Sequence, residues 1–111
     1  MIDGLLKKIA EKENAIIMRL NKDGLILDVY AAGKYNSIIP PEEVKGYYIK
    51  DIIGPTVCMA MEDIKTVLKT QKPIENTYYF WNNPAAQRWV RVTPLKNRPD
   101  QVVVIHKKEP F

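Results

Sequence analysis

One cysteine, Cys58, and one histidine, His106, stand in a chain of 111 residues. A single thiol excludes an internal disulfide framework and a multi-cysteine metal site, and it suits a reducing interior. No cluster of His, Cys and acidic residues has metal-ligand spacing. Long apolar runs are also missing: none approaches the roughly 20 residues that span a bilayer, and the N-terminus has no signal-peptide core. These absences predict a cytoplasmic segment without membrane contact. No G-x-S-x-G, P-loop or G-x-G-x-x-G occurs. The adjacent acids Glu42-Glu43 and Glu62-Asp63 read as helix-surface charge rather than as an acid/base pair. The segment is therefore not expected to be an enzyme, although a full-length parent could be one. Internal repeats, linkers and low-complexity tracts are absent as well.

What is present is enough for one core. A hydrophobic content of 46% fits a folded domain rather than a disordered chain. The net charge of +4 comes from scattered lysines, whereas a nucleic-acid binder more often concentrates them on one face. No nucleic acid is expected as a partner. The alternative, a nucleic-acid or general interaction module, rests on a surface formed by Trp81, Arg88, Trp89 and Arg91.

The strongest local signal is the stretch Ala15 to Tyr30, AIIMRLNKDGLILDVY. Two apolar runs flank Asn21-Lys22-Asp23-Gly24, and Asp-Gly between such runs marks a hairpin, because glycine accepts the positive φ of a tight turn. Alternation sets Ile16, Met18 and Leu20 against Ile17 and Arg19. On the second strand it sets Leu25, Leu27 and Val29 against Ile26, Asp28 and Tyr30. A lone hairpin is marginal in water, so further strands must join it.

Before the hairpin, residues 1 to 13 read as a helix, with Ile2, Leu5, Leu6 and Ile9 at helical spacing. Ile2, Leu5 and Ile9 also fit a short heptad seam. The helix packs on its own domain, or on a second copy or an upstream helix; the residues leave both open. After the hairpin, Ala31 to Pro41 is irregular. Pro41 to Lys45 suits a short helix ending at Gly46, and Tyr47 to Ile53 a second short piece anchored by Ile49, Ile52 and Ile53. The longest helix opens at Pro55 or Thr56 and runs to about Thr70, with Val57, Ala60, Met61, Ile64, Val67 and Leu68 as its apolar stripe. Pro73 ends the segment. Three strands follow: Ile74 to Trp81, Gln87 to Leu95 and Gln101 to Lys107, with turns at Asn82-Asn83-Pro84 and Lys96 to Asp100. The last strand, carrying VVVI, is apolar on both faces and so reads as central, with a neighbour on each side. The class is α+β, an antiparallel sheet with helices on one face.

This order, with its markers, resembles the PAS family of sensor domains. The likeness runs from Ala15 to about Lys108. Its markers are Asn21-Lys22-Asp23-Gly24 after an apolar strand, then Glu42-Glu43-Val44-Lys45-Gly46-Tyr47 and Ile49-Lys50-Asp51-Ile52. The long helix before Lys72-Pro73-Ile74 follows, and then Arg88-Trp89-Val90-Arg91-Val92-Thr93-Pro94-Leu95 ahead of the valine-rich strand. One departure is His106-Lys107-Lys108-Glu109, where many members carry an Asp-Ile-Thr-like signal leading into an output module.

The resemblance implies a five-stranded antiparallel sheet of order 2-1-5-4-3, with helices on one face enclosing a small cavity and an N-terminal flanking helix. It divides the chain into a flanking helix over 1–14, a sensor domain over 15–108 and a tail over 109–111. It implies a signal-sensing and dimerisation module of a larger bacterial signalling protein, such as a sensor histidine kinase. The expected partners are a second copy, met through the N-terminal helix or the sheet face, the parent's output domain and a small-molecule ligand.

Cofactor chemistry finds little support. Flavin-binding members place a reactive cysteine in an Asn-Cys-Arg-Phe-like motif, which Gly54 to Met59 does not match. Haem-binding members usually supply a histidine from the long helix, which here has none. His106 shares a face with Val102 and Val104 and reads as a half-exposed strand residue. If Ile74, Tyr78 and Phe80 face inward, they meet Val90, Val92 and the helix stripe. Met61, Ile64, Leu68, Tyr78, Phe80, Val90 and Val92 are then the candidate lining of a cavity, in which tyrosine hydroxyls or Asn76 could orient a ligand, or else a filled core. Tyr79, Trp81 and Trp89, on the other face, would make an apolar patch suited to a partner.

Overall fold

The Asp23-Gly24 turn forms where the sequence places it. Gly24 has φ of +83°, and the Asn21 side-chain oxygen accepts hydrogen bonds from the backbone N–H groups of Asp23 at 2.9 Å and Leu25 at 3.0 Å. This short polar side chain closes the turn from within. Gly24 is needed for space as well as for conformation. A Cβ there would lie 2.8 Å from Cγ2 of Ile49 and 2.9 Å from Sδ of Met61. The turn is thereby docked against the middle of the chain, and the Gly24 carbonyl accepts from the Ile49 N–H at 2.8 Å.

The computed structural model describes residues 2–31, 45–51, 57–79 and 87–111. In chain order these form helix α1 (Ile2–Glu13), strands β1 (Ile16–Asn21) and β2 (Ile26–Ala31), a single 3-10 turn (Ile49–Asp51), helix α2 (Val57–Thr70), and strands β3 (Ile74–Tyr79), β4 (Gln87–Leu95) and β5 (Arg98–Lys107). The short helix expected over Pro41 to Lys45, the anchors Ile52 and Ile53, the start of the long helix at residues 55–56 and the turn at residues 82–84 fall wholly or mainly outside the described residues.

The strands make one antiparallel sheet of order β2-β1-β5-β4-β3. The valine-rich β5 is central: Ile17 pairs with Ile105 and Leu20 with Val102 on one side, and Val92 pairs with Val104 on the other. Its two faces feed two cores. Val102 and Val104 join Leu20, Ile26, Ile64, Val67, Tyr78, Val90 and Val92 beneath α2. Val103 and Ile105 join Leu6, Ala10, Ala15 and Ile17 beneath α1. Each helix thus covers one face of the sheet, and we call the α2 side the inner face.

Two strand expectations are corrected. Strict alternation puts Ile26 with Asp28 and Tyr30, opposite Val29. In the structure Ile26 and Val29 pack against the same inner core, because a bulge between Arg19 and Leu20 pairs Leu20 with Ile26 and leaves Leu27 as the extra residue. The expected turn Lys96 to Asp100 contracts, since β5 already begins at Arg98. Pro94 pairs with Val102 and Leu95 with Arg98, so Pro99 falls within the irregularity, where its missing N–H costs no ladder bond.

Helix α1 packs on its own sheet through Leu6 and Ala10, whereas Leu5 of the heptad seam is 58% exposed. Lys107 ties the end of the helix to β5 through Glu13, at 3.1 Å. Elsewhere on the outer face, Arg19 donates to Asp28 and to Gln101, and Lys45 reaches Asp28 at 3.2 Å. Burial pushes the Asp28 carboxyl up, but the hydrogen bonds and charges of Arg19 and Lys45 outweigh it and hold the group below its ordinary range.

Candidate ligand cavity between sheet and helix

Alternation along the strands aims Met18 of β1, Val90 and Val92 of β4 and Val104 and His106 of β5 at α2, which answers with Ala60 and Ile64. Tyr78 of β3 and Ile49 of the 3-10 turn complete the wall of a small cavity. The room for water-sized spheres is about 20 Å³, enough for one or two small groups. Ala60 is the reason for space on the helix side, because its methyl faces a sheet position that a longer side chain would fill.

Of the residues singled out in the sequence, Ile64, Tyr78, Val90 and Val92 stand on this wall. Met61 and Leu68 pack at the border of the inner core without lining the cavity, and Phe80 lies outside the described residues. Met18, Ile49, Ala60, Val104 and His106 are wall residues that the sequence reading did not name. Their signal was present as parity: Met18 shares a face with Leu20, and Val104 and His106 share a face with Val102.

His106 also corrects an expectation. It is 8% exposed, not half-exposed, because a central strand has a neighbour on each side; here these are Ile16 and Val90. Burial, with the Arg88 charge as a second cause, pushes the imidazole pKa down to about 3, so the ring is neutral at physiological pH. Arg88 reaches this region by register. It pairs with Tyr78 and shares parity with Val90 and Val92, which puts it on the inner face at the His106 end of the cavity. Its Nη1 donates to the Gln87 carbonyl at 2.7 Å, and among the described residues no carboxylate is paired with it.

Asp63 is the second revised residue. Glu62 is exposed as expected, but Asp63 is half-buried and bridges α2 to β3. Its Oδ2 accepts from Asn76 Nδ2 at 2.7 Å and from the Tyr78 hydroxyl at 2.5 Å. Burial, reinforced by this carboxylate, pushes the Tyr78 hydroxyl well above the ordinary tyrosine range. Asn76 and the Tyr78 hydroxyl therefore hold the helix to the sheet rather than facing an occupant of the cavity.

The surface proposed for nucleic acid does not assemble. Arg88 is on the inner face, while Arg91 is on the outer one, paired with Glu75 and stacked under the Phe111 ring at 4.3 Å. Trp89 is half-buried on the outer face opposite Thr77 and Lys107. Trp81 lies outside the described residues, as does the side chain of Tyr79.

Comparison with solved structures follows this geometry. A sensory box sensor histidine kinase from Vibrio cholerae superposes with a TM-score of 0.70 at 13% identity, over 99% of this chain and 93% of that one. The photoactive yellow protein domain of the sensor histidine kinase Ppr from Rhodospirillum centenum superposes at 0.69 with 15% identity, over 96% of each chain. The chain has a PAS fold. A further PAS domain, from the Cronobacter turicensis quorum-sensing receptor RpfR in complex with BDSF, matches at 0.61 and 14% identity over 85% of this chain and 92% of that one. No family model and no curated protein matches the sequence. At these identities the PAS likeness is carried by backbone geometry, not by shared side chains. Among the described residues, no three His, Cys, Asp or Glu side chains gather as metal ligands, and no helix is long and apolar enough to cross a membrane.

Proposed function

We propose that this chain is a signal-sensing and dimerisation module of a larger signalling protein, such as a bacterial sensor histidine kinase, working in the cytoplasm. The sensor body spans 15–108, with the helix over 1–14 and the tail over 109–111 as its connections. The observation that carries this reading is the cavity walled on one side by the sheet and on the other by α2. Whatever occupies that space bears on both layers, and it shifts a conformational equilibrium to the extent that it fits one arrangement of helix and sheet better than another. The candidate lining is Ile64, Tyr78, Val90 and Val92, together with Met18, Val104 and His106. The neighbour in complex with BDSF supports a small molecule as the signal. Dimerisation draws support from the exposed Leu5 on α1 and from the outer-face location of Trp89.

Native mass spectrometry of the purified chain tests both parts at once. A dimer carrying a retained small molecule is expected. A bare monomer across the micromolar range, unresponsive to any compound in a metabolite screen, overturns the reading.

A further inference from the structure

We infer that Phe111 is a latch that holds the tail on the outer face of the sheet, and that Lys107 couples this latch to the end of α1. The latch needs no ligand; it shares with the function proposed above only the ranges 1–14 and 109–111 as connections of the module. Arg91 and Lys107 form its seat. Trp89 pairs with Lys107 and Arg91 with Ile105, so Arg91 and Lys107 are diagonal neighbours on adjacent strands of one face. The chain bends after Lys107 and returns the Phe111 ring to them. The Arg91 guanidinium lies 4.3 Å from the ring centroid and the Lys107 ammonium 5.0 Å from it. Both are within the roughly 6 Å over which a cation is drawn to an aromatic face.

Each cation of the seat is also held from another element. Arg91 pairs with Glu75 of β3, and Lys107 pairs with Glu13 at the end of α1, at 3.1 Å. The Lys107 side chain is 13% exposed, against 37% for Arg91. Its ammonium is therefore the more shielded from water, and its attraction to ring and carboxylate is the stronger for that. One ammonium thus serves the last residue of α1 and the tail together. Coupling of this kind is reciprocal: whatever frees the tail loosens the end of α1 by the same factor, and the reverse holds as well. Phe111 is 40% exposed, so most of the ring is already covered within one chain. The occupant of the seat is this chain's own tail rather than a side chain from a second copy.

The test uses the full chain, read by NMR. Nuclear Overhauser contacts from the Phe111 ring to the Lys107 Hε and Arg91 Hδ protons are expected, unchanged on dilution. A ring contact found only between differently labelled copies overturns the inference. Phe111→Ala is expected to speed amide exchange in the last turn of α1 at least threefold, while the Val90 and Val104 methyl signals of the inner core stay in place. Phe111→Tyr should keep the protection. Phe111→Leu, apolar but without an aromatic face, should keep only part of it. Glu13→Gln is expected to weaken the ring contacts in turn. In Lys107→Met, which removes the shared ammonium, Phe111→Ala should no longer change exchange in α1. Unchanged exchange in Phe111→Ala, or effects of Phe111→Ala and Glu13→Gln that add without coupling, overturn the inference. Either result leaves the sensing reading standing. A bare, unresponsive monomer that keeps the ring contacts overturns the sensing reading and upholds the latch.

Discussion

The two faces of the sheet are built from alternate residues of the same strands, yet they are finished differently. On the outer face, α1 approaches through Leu6 and Ala10 onto Ala15, Ile17, Val103 and Ile105. Small residues at Ala10 and Ala15 let helix and sheet close together, and the rim is held by ion pairs such as Lys107 with Glu13. On the inner face, α2 brings Ala60 and Ile64 over valines and stops short of filling the space, leaving a cavity with a neutral histidine in its wall. The difference lies in how much room each helix leaves over the sheet. A close-packed layer resists any change of side-chain volume, whereas a layer with a void can take up a larger side chain.

The largest expected effect strikes the inner face through pH. His106 has a folded pKa of about 3 against an ordinary 6.5, so between these values the unfolded chain binds the extra proton. The contribution of the neutral ring is then complete above about pH 6.5 and is lost as pH falls toward 3, by on the order of 5 kcal/mol in full. Urea unfolding at pH 7 and pH 4.5 should show much of this loss, and His106→Gln should flatten the slope. Asp28, whose pKa is lowered from 3.8, contributes its own acid loss only below about that pH, beneath the pH 4.5 measurement. An unchanged midpoint between pH 7 and 4.5 would contradict the burial of His106.

Adding one methylene to adjacent residues of β5 contrasts the faces directly. Val103→Ile, aimed at the close-packed outer layer, should cost about 1–2 kcal/mol, whereas Val104→Ile, aimed at the cavity, should cost less than about 0.5 kcal/mol or stabilise. Equal urea midpoints would show that the inner void has no energetic meaning. Tyr78→Phe should cost about 1 kcal/mol by removing the hydroxyl that α2 holds through Asp63, and it should also increase amide exchange along α2. Smallest of all, Glu75→Ala should change stability by less than about 0.5 kcal/mol, because the Glu75–Arg91 pair on the outer rim is exposed to solvent screening.

Much of the architecture was legible from residue order. The Asn21 to Gly24 turn, the stripe of α2 and the two-faced apolar β5 carry strong local signals, whereas the place of β5 beside β1 followed from the resemblance to the PAS family. Register was less legible. The bulge at Leu27 and the early start of β5 at Arg98 each add residues without changing the alternating pattern a reader counts. For the cavity, parity identified Tyr78, Val90 and Val92, because a half-buried strand shows its face in its own sequence. It could not tell that His106 is sealed by Ile16 and Val90, since burial of a strand end depends on what the flanking strands bring alongside it.

The sequence by itself determined the elements, their order and, away from the bulge at Leu27, which side chains share a face, because these follow from periodicity and turn chemistry within a few neighbouring residues. Only the tertiary structure decided that Arg88 and Arg91 part to opposite faces of a covered sheet, that Asp63 faces β3 and that His106 loses its proton. Each of those depends on the approach of groups distant in sequence, and on the water excluded when they meet.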